Sequence, residues 1–237
     1  MQDFSRIGHS LIQFSKDTEA AELLQPARPW SKSQSTPEAT KVRVERAMQD
    51  FWYFDKMYFP EEMYGGGYFK PGRFHKKLFK HSQHKGINVI LAARKHGKTV
   101  TFKKILIWML LSGRVTFAGT LSETLPNARI ILRDVAELIT MNPRITGDFN
   151  IDIMTNNDDE LKFRIAGQRA VRSVRPFSEG RSVRGSTHLF ERPQWLLVDD
   201  LETRNSSLEE PQVDSRIRMI AEAYQSMSDD ATIVILG

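Results

Sequence analysis

The sequence contains no cysteine, which excludes disulfide bonds and cysteine-ligated metal sites. No apolar run approaches the roughly 20 residues that a membrane-spanning helix needs, and the first residues lack the basic and apolar segments of a secretory signal. The absence of cysteine fits a reducing compartment. The chain has 237 residues, which is long enough for one sizeable α/β domain with an extension.

The charge is unbalanced towards the basic side, with 34 lysines and arginines against 29 acidic residues and a formal net charge of +5. A basic balance favours a polyanionic partner.

The first 60 residues predict two helices separated by a linker. Residues 3–24 carry apolar residues at roughly helical spacing, namely Ile7, Leu11, Ile12 and Phe14. Residues 25–40 are rich in proline, serine and threonine, which is typical of a linker or a flexible arm. A second helix is predicted over 41–59, ended by Pro60. We therefore divide the chain into a helix and linker, 1–40, and a main domain, 41–237.

From residue 87 onward, short apolar runs alternate with helical patterns. Strands are predicted at 87–93, 114–120, 160–167, 169–177, 194–200 and 231–237, and helices at 98–113, 122–142 and 209–227, the second of these closed by Pro143. The strands at 160–167 and 169–177 alternate polar and apolar residues, which predicts an exposed face. Strand and helix alternation predicts crossover units and a mostly parallel sheet.

The stretch "LAARKHGKTV", residues 91–100, has the pattern of a phosphate-binding loop, although Ala92 stands where the usual pattern has its first glycine. Gly97 lets the chain approach the phosphates, Lys98 would reach the β- and γ-phosphates of ATP, and Thr99 would ligate Mg²⁺. The predicted fold class is thus an α/β P-loop NTPase with a helical N-terminal extension. The candidate nucleotide-contacting residues of the loop are Arg94, Lys95, His96, Gly97, Lys98, Thr99 and Val100.

A second motif, "LLVDD", is an apolar strand that ends in two acids, which is a Walker B pattern. Asp199 would hold Mg²⁺ directly or through water, and Asp200 would polarise the attacking water, with Glu202 as a possible substitute. The alternative is that the two acids only end a buried strand at a solvated loop.

Arginines are dense between residues 162 and 192, namely Arg164, Arg169, Arg172, Arg175, Arg181 and Arg184. DNA phosphate, a γ-phosphate on a neighbouring subunit, or simply a solvated strand face would each account for them. Arg184 lies in the glycine-flanked stretch "GRSVRGS", which favours an arginine finger, and Arg94 is its rival for that role.

Aromatic residues are dense at 51–59 and 68–79, before the phosphate loop, and two interpretations are open. Either this aromatic segment packs an N-terminal subdomain onto the sheet, or some of its rings border the adenine. Phe74 and His75 are its candidates for cofactor contact, and we expect His75 to be structural rather than catalytic.

The order and spacing of these motifs resemble the N-terminal ATPase domain of phage large terminases from about residue 50 to the end. "ARKHGKT" is similar to the deviant Walker A of that family, in which an early arginine is present and the first glycine is often absent. "GRSVRGS" followed by "WLLVDDLE" resembles its arginine–glycine loop and the Asp-Asp form of its Walker B, and "ATIVILG" looks like the start of its coupling motif. Asp200 stands where the family more commonly has glutamate.

The resemblance implies a motor that hydrolyses ATP with Mg²⁺ to drive double-stranded DNA into a procapsid. It implies as partners the portal protein, the small terminase subunit and further copies in a ring, with a monomer as the alternative in isolation. No membrane is involved, and the location implied is the host cytoplasm. The family normally adds a ribonuclease H-like nuclease domain after the coupling motif, and we expect no DNA cleavage from residues 1–237. A helicase-like ATPase and a nucleotide-binding module without turnover are the alternative functions.

Overall fold

The computed structural model describes residues 36–60, 71–92, 96–178, 183–189, 191–199, 201 and 210–237. The helices are α1 (Pro37–Gln49), α2 (Phe51–Tyr58), α3 (Arg73–Ser82), α4 (Lys98–Leu111), α5 (Leu125–Thr140), α6 (Pro143–Phe149) and α7 (Glu210–Gln225). The strands are β1 (Gly86–Ile90), β2 (Phe117–Leu121), β3 (Ile151–Asn156), β4 (Leu161–Ile165), β5 (Val171–Phe177), β6 (Trp195–Asp199) and β7 (Thr232–Leu236).

The seven strands form one sheet in the order β1-β7-β6-β2-β5-β4-β3. The pairs β1–β7, β7–β6, β6–β2 and β2–β5 are parallel, whereas β4 pairs antiparallel with both β5 and β3. The parallel part arises because helices connect the successive strands and pack on the sheet. The predicted α/β class with a mostly parallel sheet flanked by helices is confirmed.

Two apolar cores lie on the two faces of the sheet. The larger core joins α4 to α1, α2, α3 and α5, and the smaller one joins α7 to residues of β2, β6 and β7. Residues Trp195–Val198 of β6 are buried, as the continuous apolar run predicts for a central parallel strand. The helix α4 is buried along most of its length, so its N-terminus is held rigidly at the sheet edge.

The N-terminal helices differ from the prediction. The expected helix 41–59 is two helices, because Asp50 interrupts it and its carboxylate accepts hydrogen bonds from the main-chain N–H groups of Trp52 and Tyr53. The predicted linker 25–40 also ends early, since α1 begins at Pro37 with Thr36 as its N-cap. The predicted helix at 3–24 lies outside the described residues.

The aromatic side chains of α2 belong to the larger core. Phe51 stacks on Phe79 of α3 at 4.7 Å between ring centroids and meets Trp108 of α4 edge-on at 5.7 Å. These rings therefore pack the N-terminal helices against α4, in agreement with the first of the two interpretations of the aromatic segment.

The structure contains two elements that the sequence does not predict, and one strand is buried where the sequence predicts an exposed face. The helix α6 and the strand β3 were not predicted, and Pro143 begins α6 rather than closing the preceding helix. The strand β4 exposes Arg164 as expected, but the exposed face predicted for β5 is wrong, because Arg172 is only 2% exposed. Among the described residues, no helix is long and apolar enough to cross a membrane.

Candidate functional site

The phosphate loop leads from β1 into α4, as its sequence pattern predicts. Gly97 is the N-cap of α4 and has φ 68° and ψ 20°, a left-handed conformation that a side chain disfavours. Lys98 is the first helical residue, so the main-chain N–H groups of the first turn lie at the carboxyl edge of the sheet. The start of α4 therefore has the main-chain geometry of an anion-binding site.

The Walker A and Walker B segments meet in space. Thr99 Oγ1 donates a hydrogen bond to Asp199 Oδ2 at 2.8 Å, across 100 residues of sequence. The sheet register explains the meeting, because Ile90 of β1 and Asp199 of β6 both pair with Leu236 of the strand between them. A hydroxyl and a carboxylate are thereby placed together beside the N-terminus of α4.

Ser122, which the sequence does not single out, stabilises the position of Asp199. It is buried directly after β2, and its hydroxyl donates to the main-chain oxygen of Asp199 at 2.8 Å. Its position at the carboxyl end of a buried apolar strand was the available signal, but sequence alone does not say that β2 lies beside β6.

The ammonium group of Lys98 is directed at the sheet edge. It donates to the main-chain oxygen of Ala92 at 2.6 Å and to that of Gly237. Both acceptors are main-chain oxygens of residues that follow β1 and β7. A phosphate group would offer charged acceptors, to which hydrogen bonds are about twice as strong.

The start of α3 contacts the phosphate loop. His75 Nε2 is 2.9 Å from the main-chain oxygen of His96, and the Phe74 ring meets the His96 ring edge-on at 6.1 Å. Val100 is 45% exposed on the first turn of α4. Phe74 and His75 therefore contact the loop at His96, and the contact of Phe74, His75, His96 and Val100 with a nucleotide stays a prediction.

Several predicted site residues lie outside the described residues, namely Arg94, Lys95, Asp200, Glu202 and Arg181. Arg184 is described and its side chain is exposed in the segment 183–189. The assignment of a catalytic carboxylate and of an arginine finger therefore stays a prediction.

The arginines of β4 and β5 do not form one continuous basic face. Arg164 pairs with Asp152 at 2.9 Å, and Arg175 pairs with Glu160 at 3.0 Å. Arg172 is buried and donates to the main-chain oxygens of Leu110 and Ala170. Burial lowers its pKa. Arg172 is therefore not available to a phosphate-binding strip, whereas contact of Arg164 and Arg175 with DNA phosphate stays a prediction.

A carboxylate organises the inner part of that region. Glu160 accepts from the Ser173 hydroxyl at 2.6 Å and pairs with Lys162 and Arg175. Burial alone would raise the pKa of Glu160, but these partners outweigh it and hold the pKa below its ordinary value.

A buried ion pair anchors α2 onto the helix of the phosphate loop. Lys104 Nζ of α4 is 2.7 Å from Asp55 Oδ1 of α2. The two residues are 7% and 3% exposed, respectively. Burial raises the pKa of Asp55, and the attraction of Lys104 opposes that rise. The pair contributes to the placement of α4 rather than to the chemistry at its N-terminus.

Comparison with known proteins gives similarity in structure alone. No family model matches the sequence, and no curated protein matches it. The large terminase ATPase domain of Thermus phage P74-26 is similar, with 18% identity and a TM-score of 0.47 over 75% of this chain and 68% of that chain. The N-terminal domain of the DNA packaging ATPase of bacteriophage phi29 has 14% identity and a TM-score of 0.40 over 68% of this chain and 76% of that chain.

Dbp5 of S. cerevisiae, solved with bound ADP, is also similar, with 15% identity and a TM-score of 0.41 over 86% of this chain and 46% of that chain. Phage packaging ATPases are thus among the proteins to which this chain is similar in structure. At these identities the likeness concerns the fold, and the case for function rests on the site.

Proposed function

We propose that this chain is a Mg²⁺-dependent ATP hydrolase, the motor domain of a viral large terminase. The observation that carries the ATPase part is the hydrogen bond between Thr99 and Asp199 at 2.8 Å. It joins two sequence motifs that were each found independently, and it lies directly beside Lys98 and the start of a buried helix.

ATP binding would use charges and dipoles that are already in place. The N–H groups at the N-terminus of α4 offer donors and the positive end of a helix dipole to the phosphates. Lys98 would exchange the main-chain oxygens of Ala92 and Gly237 for the β- and γ-phosphate oxygens. Its side chain needs no long displacement, because these oxygens lie at the same edge of the sheet.

The donor set suits a magnesium ion. The Thr99 hydroxyl and the Asp199 carboxylate are hard oxygen ligands, which Mg²⁺ prefers, and they are adjacent. Within the described ranges, no group of three or more His, Asp or Glu side chains is placed to hold a metal. Such a pair suits Mg²⁺, which usually takes one or two protein ligands and leaves its remaining positions to water and phosphate. When bound, the ion would neutralise charge on the phosphates.

The hydrolytic residues are proposed from the sequence. Asp200 follows Asp199 at the end of β6 and would orient and polarise the attacking water, with Glu202 as its substitute. Arg184 or Arg94, in the same subunit or from a neighbour in a ring, would stabilise charge that develops on the transferred phosphoryl group.

The terminase assignment is supported by the order of the sequence motifs. On it we propose double-stranded DNA, the portal protein and the small terminase subunit as partners, a homo-oligomeric ring on the procapsid, and the host cytoplasm as the location. We propose no nuclease activity for residues 1–237.

The test measures phosphate release from ATP with Mg²⁺ or with a chelator, in the presence of blunt double-stranded DNA or of a forked duplex. We expect turnover that requires Mg²⁺, no strand separation, and loss of turnover in Asp200→Asn. Separation of the forked strands would favour the helicase-like alternative. ATP binding without turnover in a ring-forming preparation would favour the nucleotide-binding module.

A further inference from the structure

His75 connects two main-chain segments that are distant in sequence. It lies in the first turn of α3 and is 6% exposed. The main-chain N–H of Gly72 points at Nδ1 at 2.9 Å, and Nε2 lies 2.9 Å from the main-chain oxygen of His96. An amide N–H only donates, so Nδ1 accepts, and the neutral ring therefore carries its proton on Nε2 and donates it to His96.

The two ring nitrogens thus have separate tasks. Nδ1 satisfies a main-chain N–H at the N-terminus of α3, which is an ordinary helix-capping function. Nε2 reaches out of α3 to the phosphate loop, 21 residues away, which capping does not require.

The carbonyl that Nε2 holds belongs to the peptide group between His96 and Gly97. In a trans peptide the C=O and the N–H point in opposite directions, and no described peptide bond is cis. The bond from His75 therefore fixes the direction of the Gly97 N–H, one of the donors that a phosphate loop presents. Gly97 has a left-handed conformation and no side chain. Its own backbone therefore resists rotation of the His96–Gly97 peptide plane less than the backbone of any other residue type would.

Phe74 supports the same peptide from the neighbouring position. Its ring meets the His96 ring edge-on at 6.1 Å and the His75 ring edge-on at 5.1 Å. The start of α3 thereby holds the end of the loop through one hydrogen bond and one ring contact.

We propose that His75 is a positioning residue for nucleotide binding. It orients the Gly97 N–H through the His96 carbonyl and so sets the affinity for ATP through the loop backbone, in place of the direct contact that the sequence predicts. The proposal rests on the proposed ATP site and extends it to a residue outside the phosphate loop.

Two replacements separate the tasks of the ring. Asn places its amide where Nδ1 stands, so His75→Asn retains an acceptor for Gly72 and loses the donor to His96. Gln reaches one atom further, so His75→Gln retains a donor near Nε2, and a glutamine at the third helical position also caps through its oxygen. We expect His75→Asn to weaken ATP binding about five- to tenfold, which is the value of one hydrogen bond of about 1 kcal/mol or slightly more. We expect His75→Gln to stay within about twofold of the parent.

Binding of ATP with Mg²⁺ would be measured by calorimetry, beside the unfolding midpoint of each variant in urea. If His75 acts only in folding, the ATP affinities of the two variants follow their unfolding midpoints; that result overturns the proposal. If the parent binds ATP and both variants bind as it does, the proposal fails while the ATP site stands. If the parent itself does not bind ATP, the proposed function fails and this inference falls with it.

A measurement on the parent tests the proposal even if the variants do not fold. The ¹⁵N and ¹³C shifts of the His75 ring report which nitrogen carries the proton. We expect the Nε2–H tautomer, whereas the Nδ1–H tautomer contradicts the proposed bond to His96.

Discussion

Replacing Lys104 by alanine should destabilise the fold far more than an ordinary lysine replacement. The ammonium group is 2.7 Å from the Asp55 carboxylate, and both residues are buried. It also lies 5.2 Å from the centre of the Phe59 ring. Lys104→Ala leaves the Asp55 charge in an apolar core with its main partner gone. Removing one member of a buried pair costs about 3–5 kcal/mol.

The pH dependence of this loss identifies its cause. Burial already raises the pKa of Asp55 above its ordinary value of 3.8, and Lys104 opposes that rise. Without Lys104 the folded-state pKa rises further, so the folded variant binds a proton that the unfolded chain has released. The free energy of unfolding of the variant then falls as pH rises from about 4 towards 7. The deficit of Lys104→Ala relative to the parent should therefore be larger at pH 7 than near pH 4.

Urea unfolding followed by tryptophan fluorescence at several pH values measures this deficit. The matched control is the double variant Asp55→Leu with Lys104→Met, which removes both charges and keeps the volume, and which should unfold close to the parent or above it. A deficit below about 1 kcal/mol in Lys104→Ala, or one that does not change with pH, would refute the reasoning.

Two further predictions concern the other face of the sheet. Gly119→Ala should destabilise by about 1–3 kcal/mol in urea unfolding, because its Cβ would lie 2.6 Å from Phe177 and 2.7 Å from Leu196; an unchanged midpoint contradicts this packing. His188 is 4% exposed, and burial, together with Lys162, lowers its pKa below 6.5. The parent should therefore lose stability as pH falls below 6.5, and His188→Gln should lose less; equal acid slopes would show that His188 does not contribute.

The central part of the fold and its site could be predicted because their signals are local. A buried parallel strand is a continuous apolar run, as at Trp195–Asp199, and a phosphate loop must be followed directly by a helix, as at Lys98–Leu111. The motifs assign Thr99 and Asp199 to one Mg²⁺ site, but the strand order that makes the two residues adjacent is not a local property.

The errors have separate physical causes, and a partner distant in sequence is only one of them. The sequence pattern predicts Arg172 as an exposed strand residue, but it is buried and donates to the main-chain oxygen of Leu110 in α4. Asp50 reads as an ordinary helix residue, yet it caps the next helix. The strand β3 was missed because its outward side chains are polar or half exposed and its only partner in the described sheet is β4.

The role of Ser122 could not be predicted because the order of strands in the sheet is not a local property. The same holds for the bond from His75 to His96, which depends on how α3 packs beside the loop.

The most direct test of the account is ATP binding by the parent chain with Mg²⁺, beside Lys98→Ala and Asp199→Asn. Lys103→Ala, which removes the same charge from the same helix at a residue paired with Asp134, is the control. The account predicts that the parent and Lys103→Ala bind alike, and that Lys98→Ala binds about 10- to 100-fold more weakly, the value of hydrogen bonds to a charged group. Asp199→Asn should lose the dependence on Mg²⁺. Equal binding by the parent and Lys98→Ala would contradict the claim that residues 91–100 form a nucleotide site.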